Sequence, residues 1–149
     1  MWGVERYSYR GEELDERPMR NLILIVDDDP AIRELYGEAL TEAGLDVICA
    51  SDGNEALDDV HLLQPDLVVL DLLMSRVSGQ EVLRRLQRDE GIGHLDLLML
   101  TAEGNTEVDP FDWPRGEKAW MVKPADPKDL ADRVKGILCR PIPSFHLCC

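Results

Sequence analysis

From Asn21 onward the chain alternates short apolar runs with longer stretches in which apolar residues recur every three or four positions. Residues 22–26, 45–50, 67–70, 95–100 and 119–122 are apolar runs of strand length, broken only by Asp46 and Asp96 near the starts of the second and fourth, the pattern of strands buried on both faces. Between the first two, Ile32, Leu35, Tyr36, Ala39, Leu40 and Ala43 fall at helical spacing. Asp29 is placed to cap that helix, Pro30 to open it and Gly44 to stop it. Similar stripes occupy residues 55–64, ended by Pro65, residues 80–88 after Ser78-Gly79, and residues 127–138 after Asp126. Strand and helix in alternation predict a parallel sheet covered on both faces. The stretch between Thr101 and Ala119 departs from this pattern. It holds Asp109-Pro110, Trp113-Pro114, Gly104 and Gly116, and each proline removes a backbone donor and disfavours helix in the residue before it. An irregular fourth crossover is expected there.

Residues 1–20 carry Glu12, Glu13, Asp15 and Glu16 beside Gly11 and Pro18, too little apolar surface to order themselves, so they are read as a mobile tail. Met19 directly precedes the first strand and is a second candidate start. Residues 21–139 form the folded unit and residues 140–149 a second tail. With 149 residues the chain has room for one core and no separate effector domain. Its 16 basic against 30 acidic side chains give a net charge of -14, which repels phosphate backbones and anionic headgroups and argues against direct nucleic-acid binding. No run is long enough to span a membrane and the first ten residues resemble no signal peptide, so a cytoplasmic location is expected. Cys49 lies in an apolar run, while Cys139, Cys148 and Cys149 crowd the C-terminus without ligand spacing. They are read as reduced thiols.

The polar residues that interrupt the apolar framework recur at one place, the carboxyl end of a strand. Asp27, Asp28 and Asp29 follow the first run, Asp71 the third, Thr101 the fourth and Lys123 the fifth. Ligands bind at the carboxyl edge of open α/β sheets, so these side chains are expected to converge. Like charges about 4 Å apart repel by roughly 4 kcal/mol at an effective dielectric near 20, so the carboxylates call for a cation among them. Mg²⁺ suits them, because it takes one or two carboxylates and completes its octahedron with water and phosphate oxygens.

The ordered set Asp27-Asp28, Asp71, Thr101-Ala102 and Lys123-Pro124, spread over residues 21 to about 139, resembles the signature of response-regulator receiver domains of two-component signalling, in the form of single-domain chemotaxis regulators. The resemblance implies a doubly wound, flavodoxin-like five-stranded parallel sheet of strand order 2-1-3-4-5. It implies that Asp71 takes a phosphoryl group from a phosphohistidine of a sensor kinase or phosphotransfer protein. Asp28, Asp71 and the backbone carbonyl of Leu73 would ligate Mg²⁺, with Asp27 reaching it through water. Lys123 and Thr101 would bind the phosphoryl oxygens, and Trp120 occupies the position of an aromatic residue that follows Thr101 in switching. Such a protein is a phosphoacceptor that catalyses its own loading and slow unloading rather than an enzyme. Without a further domain it would act as a stand-alone receiver, signalling through protein contacts.

Several residues also have plainer readings. Asp29 is read as a helix cap rather than a ligand, because Pro30 follows it. Trp120 reads equally as core packing. His61 and His94 are read as solvated, and Phe111 and Trp113 as folding back onto the sheet. Ser75 stands where the family usually has a proline after the methionine, here Met74. Leu73 is apolar where a polar side chain would help position attacking water, which predicts a long-lived phosphoryl group. The altered segment 104–116 falls on the family's usual output surface and motivates an alternative, a pseudo-receiver that binds partners without phosphorylation. A haloacid-dehalogenase-like phosphatase requires an aspartate two residues after the nucleophile, where this chain has Leu73. A nucleotide-binding enzyme requires a glycine-rich loop where it has Asp27-Asp28-Asp29-Pro30.

Overall fold

The computed structural model describes residues 21–74, 79–102 and 113–139. The expectations for the two tails, for Ser75 and Phe111, and for all of segment 104–116 but its last four residues lie outside them. The described elements run β1 (Leu22–Val26), α1 (Pro30–Glu42), β2 (Asp46–Ala50), α2 (Gly53–Leu63), β3 (Leu67–Asp71), α3 (Gly79–Arg88), β4 (Asp96–Thr101), β5 (Lys118–Val122) and α4 (Pro127–Leu138). All strand pairs are parallel, in the order β2-β1-β3-β4-β5. The expected fold class and strand order therefore hold.

Two-residue alternation sorts each central strand onto two cores. Leu24, Val26, Val68, Leu70, Leu97 and Met99 face one layer with Val60 of α2 and Val82 and Leu86 of α3. Ile23, Ile25, Val69, Leu98 and Leu100 face the other with Leu40 of α1 and Leu130, Val134 and Ile137 of α4. The helices start where the capping chemistry places them. Asp29 accepts from the Ala31 N–H ahead of α1 and Asp126 from the Lys128 N–H ahead of α4, each with proline at the first position. α2 begins two residues earlier than expected, because Asp52 accepts from Glu55 N–H while the Glu55 carboxylate accepts from Ser51 N–H and its hydroxyl. The Asp52 cap satisfies one of the four donors that a helix start leaves open, and the Glu55 carboxylate holds the residue just before the cap. α1 stops at Gly44, whose φ of 93° suits glycine alone.

The described residues ahead of β5 are non-helical from Trp113 to Glu117 and are tied to the amino edge of the sheet. Trp113 is buried and donates through its indole N–H to the Leu95 carbonyl at 2.9 Å, which agrees with its expected return onto the sheet. The Arg115 guanidinium donates to the carbonyls of Leu86 at 2.9 Å, Gln87 at 3.1 Å and Ile92 at 2.7 Å, and also to that of Asp89. One side chain thus satisfies open carbonyls at the end of α3 and in the loop after it. Arg115→Ala is expected to cost about 2 kcal/mol, read as a lower midpoint in urea unfolding; an unchanged midpoint would show that water replaces these bonds at no cost.

Two plainer readings need correction. Trp120 is 46% exposed rather than packed in the core, because β5 is an edge strand and turns Trp120 and Val122 away from the face where Ala119 is buried. His61 and His94 are exposed, in line with their reading as solvated, and each also has a partner: His61 Nε2 lies 2.6 Å from Asp89 and His94 Nε2 lies 3.1 Å from buried Asp96, pairings between elements that spacing does not show. Cys49 is a free thiol as expected, but Cys139 is disulfide-bonded.

Candidate functional site

The register of the sheet brings the polar strand ends together. Val26 of β1 pairs with Leu70 of β3, Asp71 with Leu100 of β4, and Thr101 with Val122 of β5. Asp27, Asp71, Thr101 and Lys123 therefore stand side by side along one edge. Asp27 and Asp71 are each 2% exposed and Thr101 1%, each directly after an apolar strand residue, Val26, Leu70 and Leu100. Buried polar groups need partners, so the partners define the site.

Asp71 has them on both oxygens. Its Oδ1 accepts from Leu73 N–H at 2.9 Å, and its Oδ2 faces Lys123 Nζ at 3.2 Å. The Lys123 backbone is held in turn, its N–H donating to the Thr101 carbonyl at 2.8 Å, and a cis peptide joins it to Pro124. Burial works to lower the Lys123 pKa, but attraction to Asp71 and the hydrogen bond with it outweigh burial and raise it. The ammonium charge is thereby secured. Asp27 Oδ1 accepts from Asp29 N–H at 3.0 Å, and its backbone carbonyl accepts from Arg33 at 2.8 Å.

Two buried atoms, Asp27 Oδ2 and Thr101 Oγ1, have no hydrogen-bond partner among the described residues. Asp27, Asp28 and Asp71 each offer a carboxylate oxygen within 4.8 Å of the others'. Three hard oxygen ligands so close suit a small divalent cation, and an open hydroxyl beside a lysine suits an oxyanion. The residues thus fit the group that the resemblance implies. Asp29 stands apart as a cap, as read from its proline. Leu73 lies at the rim with its side chain exposed.

Burial raises the Asp27 pKa to about 6, with the Asp71 charge adding to it and the Asp29 N–H and Lys123 opposing it. Because the folded pKa lies above the unfolded one, folded protein holds the extra proton between about pH 4 and pH 6, and stability falls as pH rises through that window. In chelator, Asp27→Asn is expected to be more stable than wild type by about 2 kcal/mol at pH 7 and by nearly nothing at pH 4. A difference that does not change across a series of melts from pH 4 to 7 would count against this account of Asp27.

Two further residues support the site, and local pattern does not reveal either role. Tyr36 was read only as part of an apolar stripe, yet its hydroxyl donates to the Ala125 carbonyl at 3.0 Å; the signal was a hydroxyl on a buried helix face. Gly79 stands just ahead of the helical stripe 80–88, yet α3 begins at it, pressed against the backbone of Asp71 and Leu72.

Comparison with known proteins agrees with this arrangement. A family model described as response regulator receiver domain matches residues 23–135. The chain is 41% identical over 118 residues to the DNA-binding dual master transcriptional regulator RpaA of Synechocystis, covering 79% of this chain and 49% of that protein. It spans about half the length of the curated relatives it matches. Among solved structures it resembles chemotaxis protein CheY4 of Vibrio cholerae, with a TM-score of 0.70 and 28% identity over 80% of this chain and 99% of that one. It also resembles response regulator TrrA of Thermotoga maritima, solved in complex with Mg²⁺-BeF, with a TM-score of 0.67 and 33% identity over 78% of this chain and 98% of that one.

Proposed function

The chain belongs to the response regulator receiver-domain family, and from that premise we propose that it is a Mg²⁺-dependent switch that accepts a phosphoryl group on Asp71 from a sensor histidine kinase or phosphotransfer protein. One observation carries the reading: the buried Asp71 carboxylate, paired with Lys123 at 3.2 Å, lies in a trio of carboxylates at the sheet edge where the Thr101 hydroxyl is buried and open. Asp28, Asp71 and the Leu73 carbonyl would hold Mg²⁺, and Asp27 would hold it through water. Once bound, the ion neutralises charge on the carboxylates and phosphoryl oxygens.

In transfer, an Asp71 carboxylate oxygen forms a bond to phosphorus as the phosphorus–nitrogen bond of the donor phosphohistidine breaks. The electron pair leaves on the imidazole nitrogen, which takes up a proton. Lys123, until then paired with Asp71, turns its ammonium to a phosphoryl oxygen, and Thr101 Oγ1 donates to another. These contacts form only with the phosphoryl group present, so they draw Thr101 toward Asp71 and favour one of two conformations. Trp120, exposed on β5 and not wedged in the core, is the aromatic residue placed to respond. The Leu73 side chain offers attacking water no hydrogen bond, so unloading is slow; a phosphoryl half-life of seconds would contradict this.

The protein is on this reading a self-loading phosphoacceptor, not an enzyme with turnover of its own. It works in the cytoplasm and passes its state on through protein contacts. Among the described residues no helix is long and apolar enough to cross a membrane. The test is intact-mass measurement after incubation with a small acyl-phosphate donor. A single phosphoryl adduct that forms with Mg²⁺ and not with chelator, mapped to Asp71, is the expected result. Folded protein that forms no adduct would instead be a phosphorylation-independent scaffold.

A further inference from the structure

Lys123 acts in this site only if the loop after β5 holds its backbone in place, and two contacts among the described residues fasten that loop. One is the bond from Lys123 N–H to the Thr101 carbonyl, within the parallel pairing of β4 and β5. The other comes from across the fold. Tyr36, on the buried face of α1, donates its hydroxyl to the carbonyl of Ala125 at 3.0 Å, 89 positions away in sequence. Between Lys123 and Ala125 stands only Pro124, whose ring restricts φ, so a displacement of Ala125 passes to Lys123 with little slack.

Other observations tie this contact to the site. The Tyr36 ring is buried, and the hydroxyl is near enough to Lys123, Asp27 and Asp71 to feel their charges. Burial raises its pKa, so it remains a neutral donor at any ordinary pH. A phenylalanine would fill the same apolar space, and the hydroxyl adds nothing to the packing around Leu40 and Leu130. What it adds is a fixed position for the chain leaving Lys123. The start of α1 is itself tied to the acidic edge, since Asp29 N–H donates to Asp27 Oδ1 and Arg33 donates to the Asp27 carbonyl. α1 therefore links the acidic end of β1 to the basic end of β5.

We propose that Tyr36 is a positioning residue for phosphoryl transfer: its hydroxyl, by holding the Ala125 carbonyl, sets the distance between the Lys123 ammonium and Asp71. The inference rests on the phosphoacceptor reading above and adds a residue to its machinery. It acts through Lys123 and touches neither the phosphoryl group nor the ion.

The test compares wild type, Tyr36→Phe, Lys123→Ala and the double variant. Two quantities are read for each: the rate of Asp71 loading from a small acyl-phosphate donor at saturating Mg²⁺, and the affinity for beryllofluoride, a phosphoryl mimic that requires no transfer step. Circular dichroism establishes that each variant is folded at the assay temperature. Loss of one hydrogen bond predicts that Tyr36→Phe loads about fivefold more slowly and binds beryllofluoride about fivefold more weakly. In the Lys123→Ala background the same change is expected to have no further effect, because the group being positioned is gone. A tyrosine that merely stabilises the fold would lower the melting temperature and leave both quantities unchanged, which overturns the inference alone. Equal losses in both backgrounds also overturn it, since the effect would then bypass Lys123. Wild type that is not loaded at all overturns the phosphoacceptor reading and this inference with it.

Discussion

Asp71→Asn is expected to abolish phosphoryl loading, leaving the intact mass unchanged after incubation with Mg²⁺ and an acyl-phosphate donor. An amide oxygen carries no negative charge and does not form the mixed anhydride that a carboxylate forms. The neighbouring carboxylates are poor substitutes. Asp27 is buried, and its raised pKa favours the protonated form in acidic solution, while Asp28 belongs to a more open part of the trio. Asp71 has its carboxylate hydrogen-bonded to Lys123 and to the Leu73 N–H. The loss should exceed a hundredfold, since a correctly placed nucleophile contributes through effective concentration and through the charges gathered around it. Asp71→Glu tests placement separately from charge: the extra methylene moves the carboxylate off its two partners, and loading should be nearly as poor. An adduct of normal yield on Asp71→Asn, mapped to Asp27 or Asp28, would show that the trio and not Asp71 is the acceptor.

The second large effect is on the support of that aspartate. A Cβ at Gly79 would lie 2.3 Å from the carbonyl oxygen of Asp71, 2.4 Å from Leu72 Cα and 3.0 Å from the Asp71 carbonyl carbon. All three are backbone atoms, so no rotamer change makes room. Gly79→Ala must push α3 off the sheet or bend the end of β3, and α3 buries Val82, Leu83 and Leu86 against the core. A destabilisation of about 3 kcal/mol is expected from forced overpacking of this kind, partly offset by the better helix propensity of alanine. Urea unfolding measures it. A cost below about 1 kcal/mol would show that the helix start yields without strain. The surviving folded protein should also load more slowly, because the bend falls on the residue that carries the nucleophile.

Much of this molecule was legible from local pattern. Apolar runs of strand length, with capping residues at Asp29 and Asp126 and proline after each, placed β1, α1 and α4 within a residue or so of where they stand. The acidic, hydroxyl and basic residues at strand ends were legible for the same reason: polarity is conspicuous where apolar residues surround it. For α2 the stripe itself is legible but its start is not, because the apolar spacing begins only beyond the segment that the bonds among Ser51, Asp52 and Glu55 fix.

Alternation could not decide the fate of β5. Its apolar residues match those of a strand covered on both faces, but its place at the sheet edge leaves Trp120 half in solvent. Edge or centre is a property of pairing between distant segments, and periodicity within one segment carries no information on it. The four-carbonyl grip of Arg115, the two histidine–aspartate pairs and the Tyr36–Ala125 bond are hidden for the same reason. Sequence by itself determined which residues are apolar, which can cap and which can hold a cation or a phosphoryl group, because those are properties of side chains and their near neighbours. Tertiary structure alone decided the distances: 3.2 Å between Lys123 and Asp71, two buried oxygens left open beside them, and a glycine pressed on the strand that carries the acceptor. These depend on how five parallel strands align their ends, and that alignment is set by packing across the whole sheet.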